Sequence, residues 1–126
     1  MSKILLAGND FRLLATRAAV LAKTKANVIC CNAPEAMTVL EAESFDLVVL
    51  CHSLGEKQAI EITGKVRRKL PKVRILMVIS DVANDVLYKG IQFDATTSPE
   101  PGSLIRHATE LLEKLPNHRL GEPIPV

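Results

Sequence analysis

Hydrophobic and polar positions along this chain alternate between two periods, and the alternation repeats five times. Short apolar runs stand at Lys3 to Ala7, Asn27 to Cys31, Asp46 to Cys51, Arg74 to Ile79 and, in a more polar form, Phe93 to Thr97. Between them apolar residues recur every three or four positions, the mark of one buried helical stripe. In the first helix the stripe reads Phe11, Leu14, Ala15, Ala18, Leu21 and Ala22, which leaves Arg12, Arg17 and Lys23 outside it. Ala33, Ala36, Met37 and Leu40 make the second stripe, and Ala59, Ile62, Val66 and Leu70 the third. A short fourth helix holds Ala83, Val86 and Leu87; the last spans about 101 to 115, with Leu104, Ile105, Ala108, Leu111, Leu112 and Leu115 facing inward.

Punctuation agrees with this division. Asn9 or Asp10 can cap the first helix, Pro34 sits where a second helix needs no amide donor, Pro71 closes the third, and Gly90 marks the end of the fourth. Five βα units with helix-length connections predict a parallel sheet with right-handed crossovers and helices on both faces. The run Leu47 to Cys51 is apolar without interruption, as a central strand covered on both sides should be. Its C-terminal end is where an open α/β sheet places its function.

Composition narrows the class. With 126 residues, 48% of them hydrophobic and 24% charged, the chain suits one globular domain, and 116–126, with three prolines and a glycine, reads as a tail or linker. A net charge of +2 and an aromatic share of 3% argue against a nucleic-acid partner. The single glycine of Ala7-Gly8-Asn9-Asp10 gives neither a dinucleotide fingerprint nor a phosphate loop. Three cysteines, two of them adjacent, suit reduced thiols rather than a disulfide framework. With no leader or spanning segment at the start, the expectation is a cytoplasmic protein without membrane contact. Cys30, Cys31, Cys51 and His52 lack metal-ligand spacing, so no metal and no cofactor is expected. The basic cluster Lys65, Arg67, Arg68, Lys69, Lys72 and Arg74 reads as a solvated helix end, and His107 and His118 as surface residues.

Four segments carry a resemblance. Lys3-Ile4-Leu5-Leu6-Ala7-Gly8-Asn9-Asp10, Phe45-Asp46-Leu47-Val48-Val49-Leu50, Arg74-Ile75-Leu76-Met77-Val78-Ile79-Ser80 and Thr96-Thr97-Ser98-Pro99 together resemble the response-regulator receiver domain, over about residues 2 to 115. The resemblance implies a flavodoxin-like three-layer αβα sandwich with five parallel strands in the order 2-1-3-4-5. It also implies a phosphate-accepting pocket, and here the chain departs from the pattern. Gly8 and Asn9 stand where the family has a magnesium-binding acidic pair, Cys51 stands for the phosphorylated aspartate, Ile79 for the switch hydroxyl with Ser80 one residue later, and Ser98 for the lysine. Asp10 remains, as a helix cap.

Metal charge, nucleophile, responding hydroxyl and neutralising cation are all replaced, and phosphoryl transfer depends on that electrostatic stabilisation. The expectation is therefore a degenerate pseudo-receiver, not an enzyme, that acts as a protein interaction module in signal transduction. Its partner, or a second copy, would use the face of the helix after Ser80, the fifth strand and the last helix, with Tyr88, Lys89 and Arg106 as contacts. The alternative is a thiol-based redox sensor or small enzyme using Cys51. An ordinary phosphorylated response regulator ranks behind both.

Overall fold

The computed structural model describes residues 2–79 and 93–113. Its elements run β1 (Lys3–Ala7), α1 (Phe11–Leu21), β2 (Asn27–Cys31), α2 (Ala33–Ala42), β3 (Leu47–Cys51), α3 (Glu56–Lys69), β4 (Arg74–Val78), β5 (Ala95–Thr97) and α4 (Pro101–Glu113). All four strand pairings are parallel and the order is β2-β1-β3-β4-β5, as the resemblance implies. The fourth helix read from the sequence, and with it Ser80, Tyr88 and Lys89, lies outside the described residues, as do Leu115, His118 and the tail.

Successive strand residues point to opposite faces, and the core divides accordingly. Leu5, Val48, Leu50, Ile75 and Met77 pack against Ala36 and Leu40 of α2 and Ala59, Ile62 and Val66 of α3. Ile4, Leu6, Leu47, Val49, Leu76 and Val78 face the other way, onto Leu14 and Leu21 of α1 and Leu104, Ala108 and Leu111 of α4. Every residue of β3 is buried. Cys51 belongs to the α1/α4 layer, which fixes what its sulfur can meet.

One sequence expectation fails in α1. The buried positions are Leu14, Arg17 and Leu21, whereas Phe11, the first helical residue, is 82% exposed and Ala15 and Ala22 are exposed as well. The helix is rotated relative to the stripe drawn through its alanines. Alanine constrains that choice weakly, since it has little side chain to bury on either face. Arg17, read as solvent-facing, is only 4% exposed. Elsewhere the stripes hold: Ala33, Ala36 and Leu40, then Ala59, Ile62 and Val66, then Leu104, Ala108 and Leu111 are the buried sides of their helices.

Caps fix where helices begin. Asp10 Oδ1 accepts from the amides of Arg12 and Leu13, and Asn32 and Glu35 form a reciprocal capping box around Pro34. Beyond the caps, Asp94 joins three elements: its carboxylate accepts from the Ile75 amide at 2.6 Å and pairs with Arg67 at 3.3 Å and Arg74 at 3.8 Å. Asp94→Ala should cost about 1–3 kcal/mol by urea unfolding, because the Ile75 amide loses its acceptor. Asp94→Asn should cost less, since a carbonyl oxygen remains for that amide.

Candidate functional site

The residues singled out by sequence converge at the C-terminal ends of β1 and β3. Gly8 follows β1, its amide donates to the Cys31 carbonyl at 3.0 Å, and it is held so tightly that an added Cβ would stand 2.9 Å from Ser53 Oγ, 3.0 Å from Cys51 Cβ and 3.2 Å from Leu14 Cδ2. A side chain at position 8 would therefore require Ser53 Oγ to move away from the amides of Asn9 and Asp10.

Ser53 occupies the centre of this arrangement. Its hydroxyl accepts from the amides of Asn9 at 2.9 Å and Asp10 at 3.3 Å, so that two backbone donors aimed into the site already have a partner. The Asn9 side chain extends the closure: Nδ2 donates to Gln58 Oε1 at 2.6 Å and to the Ser53 carbonyl at 3.4 Å, while Oδ1 accepts from the Ala33 amide at 3.4 Å. Gln58 Oε1 also accepts from the Gly55 amide at 3.2 Å. Loops after β1 and β3 are thus tied together by neutral hydrogen bonds.

The receiver fold implies a magnesium ion here, and the residues do not fit one. Magnesium takes hard oxygen ligands with carboxylate charge. These positions supply a glycine, an amide engaged with Gln58 and a thiol, and the carboxylate of Asp10 is engaged in capping α1. Among the described residues no group of three His, Cys, Asp or Glu side chains is placed to hold a metal.

Cys51 is fully buried, and burial pushes its thiol up from the ordinary value near 9.0. The opposing influence is the guanidinium of Arg17 on α1, which lowers the thiol by a smaller amount. In the sequence Arg17 is far from Cys51, and the stripe drawn through the alanines of α1 left it outside. The available signal was spacing: Arg17 stands three residues after Leu14 and four before Leu21, on the true stripe. Arg17 Nη1 has no hydrogen-bond partner among the described residues. Ser53 and Gln58 were missed for a different reason, since hydroxyl and amide residues in a loop carry no periodic signal.

The remaining candidates are dispersed. Ile79 is buried and its amide donates to the Thr97 carbonyl at 2.8 Å. Ser98 is exposed after β5, its carbonyl accepting from the Thr97 hydroxyl and its own hydroxyl from the Glu100 amide. Arg106 is exposed on α4; His107, expected on the surface, instead pairs Nδ1 with Thr97 Oγ1 at 2.8 Å and is partly buried. Within the basic cluster, Lys65 and Lys69 pair with Glu41, and Arg67 and Arg74 with Asp94. That leaves no broad field of unpaired positive charge.

In solved structures this architecture recurs. A CheY-like response-regulator receiver domain protein from Methanospirillum hungatei is 22% identical, with a TM-score of 0.74 over 90% of this chain and 95% of its own. The fold is that of a receiver domain. A chemotaxis response regulator of Vibrio cholerae, CheY4, gives 15% identity and a TM-score of 0.75 over 88% and 98% of the two chains. The receiver domain of the Pseudomonas aeruginosa sensor histidine kinase PA1611, solved with magnesium in its active-site cleft, gives 14%, 0.73, 90% and 96%. No protein-family model and no curated protein matches the sequence.

Thiol chemistry follows from the burial. Cys30 is exposed, so iodoacetamide should modify it in the native chain while Cys31 and Cys51 react only after denaturation, as mass spectrometry of timed samples would read. Because the thiol of Cys51 titrates higher folded than unfolded, its contribution to stability is intact below about pH 9 and is lost as pH rises through the folded value. Cys51→Ala should flatten that alkaline fall in urea midpoints.

Proposed function

We propose that this chain is a receiver-fold module of signal transduction that works by binding protein and not by accepting phosphate. The observation that carries the reading is the closure around Gly8. Where the sequence resemblance places one half of an acidic pair, the chain packs Ser53 Oγ and Cys51 Cβ within 3.0 Å of where a side chain would begin. The hydroxyl of Ser53 takes the two amides facing the pocket. Four departures from the pattern, at Gly8, Asn9, Cys51 and Ser98, agree with one another: an anion transferred here would meet neither metal, nor carboxylate nucleophile, nor lysine.

Without a covalent ligand at that pocket, the working state is constitutive, and output follows partner abundance. The partner-binding surface in this reading comprises Arg106 and neighbouring exposed positions of α4, together with Tyr88 and Lys89. Residues 1–115 form the module and 116–126 a tail. The thiol-sensor alternative is disfavoured by burial of Cys51 and by the upward displacement of its titration, both of which keep the nucleophilic thiolate scarce.

Incubation with acetyl phosphate and magnesium, followed by intact mass and peptide mapping, should leave the chain unmodified. A phospho-adduct on Asp10 or another carboxylate of this pocket would overturn the reading. Cys51→Asp alone should remain inert, because it supplies the acceptor without the metal site; adding Gly8→Asp should lower the urea midpoint through collision with Ser53. Arg106→Glu should weaken a partner complex about tenfold or more if Arg106 is among its anchors, whereas Cys51→Ser should leave it unchanged.

A further inference from the structure

Phe11 is the most exposed large hydrophobic side chain among the described residues. It stands at the start of α1 as a ridge between two hollows. One, of about 530 Å³, is floored by Gly8, Leu14 and Cys31 and walled by Ala15, Cys30 and Glu35. The other is polar and holds Arg12 with Asp10 and Ser53. An aromatic ring left in water beside an apolar hollow of ligand size is an unspent contact on both sides.

Most polar groups around the first hollow are already occupied. Asn9 is bonded to Ser53, Gln58 and Ala33, and Asn32 exchanges hydrogen bonds with Glu35 in the capping box. What remains is apolar wall and one net charge. Glu35 has no ion-pair partner among the described residues, and its field reaches the floor, where after burial it is the next cause raising the Cys31 thiol. Arg12, the residue after Phe11, is exposed and equally without an ion pair among the described residues. The surface thus carries a protruding ring, a hollow for a ring, the cation of Arg12 and two carboxylates, of which Asp10 caps α1 and Glu35 borders the hollow.

We propose that this surface is a twofold interface between two copies of the chain, with Phe11 of each copy seated in the hollow beside Phe11 of the other. A twofold contact is self-complementary, so each surface must carry both halves of every pair. Insertion of the ring brings Arg12 of one copy toward Glu35 of the other, twice. The edge strand β2 lies alongside, and its exposed Cys30 borders the hollow that the partner's ring would fill. This names a partner within the interaction-module reading and rests on it, but uses neither Arg106 nor the vestigial pocket.

Sedimentation equilibrium of the full chain over a wide concentration range should show a monomer–dimer equilibrium. Phe11→Ala should weaken it about tenfold or more and leave the urea midpoint unchanged, because the ring is solvent-exposed in the monomer. Glu35→Gln keeps a side chain competent for the capping box and should weaken the dimer severalfold, with less salt dependence. Arg12→Glu should weaken it too, and pairing it with Glu35→Lys should recover association. A bismaleimide should link Cys30 to Cys30 in the native chain and fail in Phe11→Ala. A chain that is monomeric at every concentration, or a dimer indifferent to Phe11→Ala and Glu35→Gln, overturns the proposal. A dimer abolished by Arg106→Glu but not by Phe11→Ala overturns it as well, while leaving the module reading standing; a phospho-adduct in the acetyl phosphate experiment would sink that reading and leave this interface untouched.

Discussion

Everything here depends on β3 having no exposed side chain. A parallel strand hydrogen-bonded on both edges and covered on both faces has one place left for function, its C-terminal end. Leu47, Val49 and Cys51 must satisfy one helical layer and Val48 and Leu50 the other. The residue at that end is therefore chosen twice, by the packing of its own layer and by whatever the loop above it must do. An aspartate there serves the loop at the expense of the layer, whereas cysteine serves the layer, since a thiol is among the most readily buried side chains.

That trade propagates outward. With no anion at the end of β3 there is nothing for a metal to bridge, and the loops after β1 and β3 can approach until Ser53 reaches the amides of Asn9 and Asp10. Gly8 permits the approach, since a Cβ there would crowd Ser53 Oγ and Cys51 Cβ. A switch needs two arrangements of these loops with different affinity for the ligand. Here the loops are held together by neutral hydrogen bonds among Ser53, Asn9, Asp10 and Gln58.

Strands were legible because apolar runs and their spacing are fixed by burial, and the sheet order came from the resemblance to receiver domains. The first and second strands read from the sequence have the observed ends, and the others differ by one or two residues at ends where single backbone hydrogen bonds, from Asp46, Ile79 and Asp94, still reach the neighbouring strand. In α1 legibility failed. Alanines at 15, 18 and 22 extend a stripe on either side of Leu14 and Leu21, so pattern alone could not choose the rotation, and hydropathy argued against Arg17 at the slot it fills. The candidate site was legible as a list of substituted positions, yet its closure was not, because Ser53 and Gln58 act through loop geometry that no period encodes. Cys51 was assigned correctly to a strand end but without its cation, which comes from 34 positions away in sequence (51 − 17).

Arg17 sharpens what the substitution at Cys51 entails. A guanidinium this deeply buried carries a desolvation penalty of several kcal/mol unless an anion or several acceptors offset it. Its neighbour here is a thiol that burial holds in the neutral form, so the pair is a cation beside a weak acceptor and not an ion pair. Arg17 shares the buried side of α1 with Leu14 and Leu21, where a long apolar stem can be accommodated in the layer. Replacing Arg17 by methionine would keep that packing and remove the buried charge, and it should leave stability unchanged or raise it by about 1–4 kcal/mol in urea unfolding. A marked loss instead would mean that the guanidinium has acceptors worth more than its desolvation, and that the end of β3 is held by charge and not by packing.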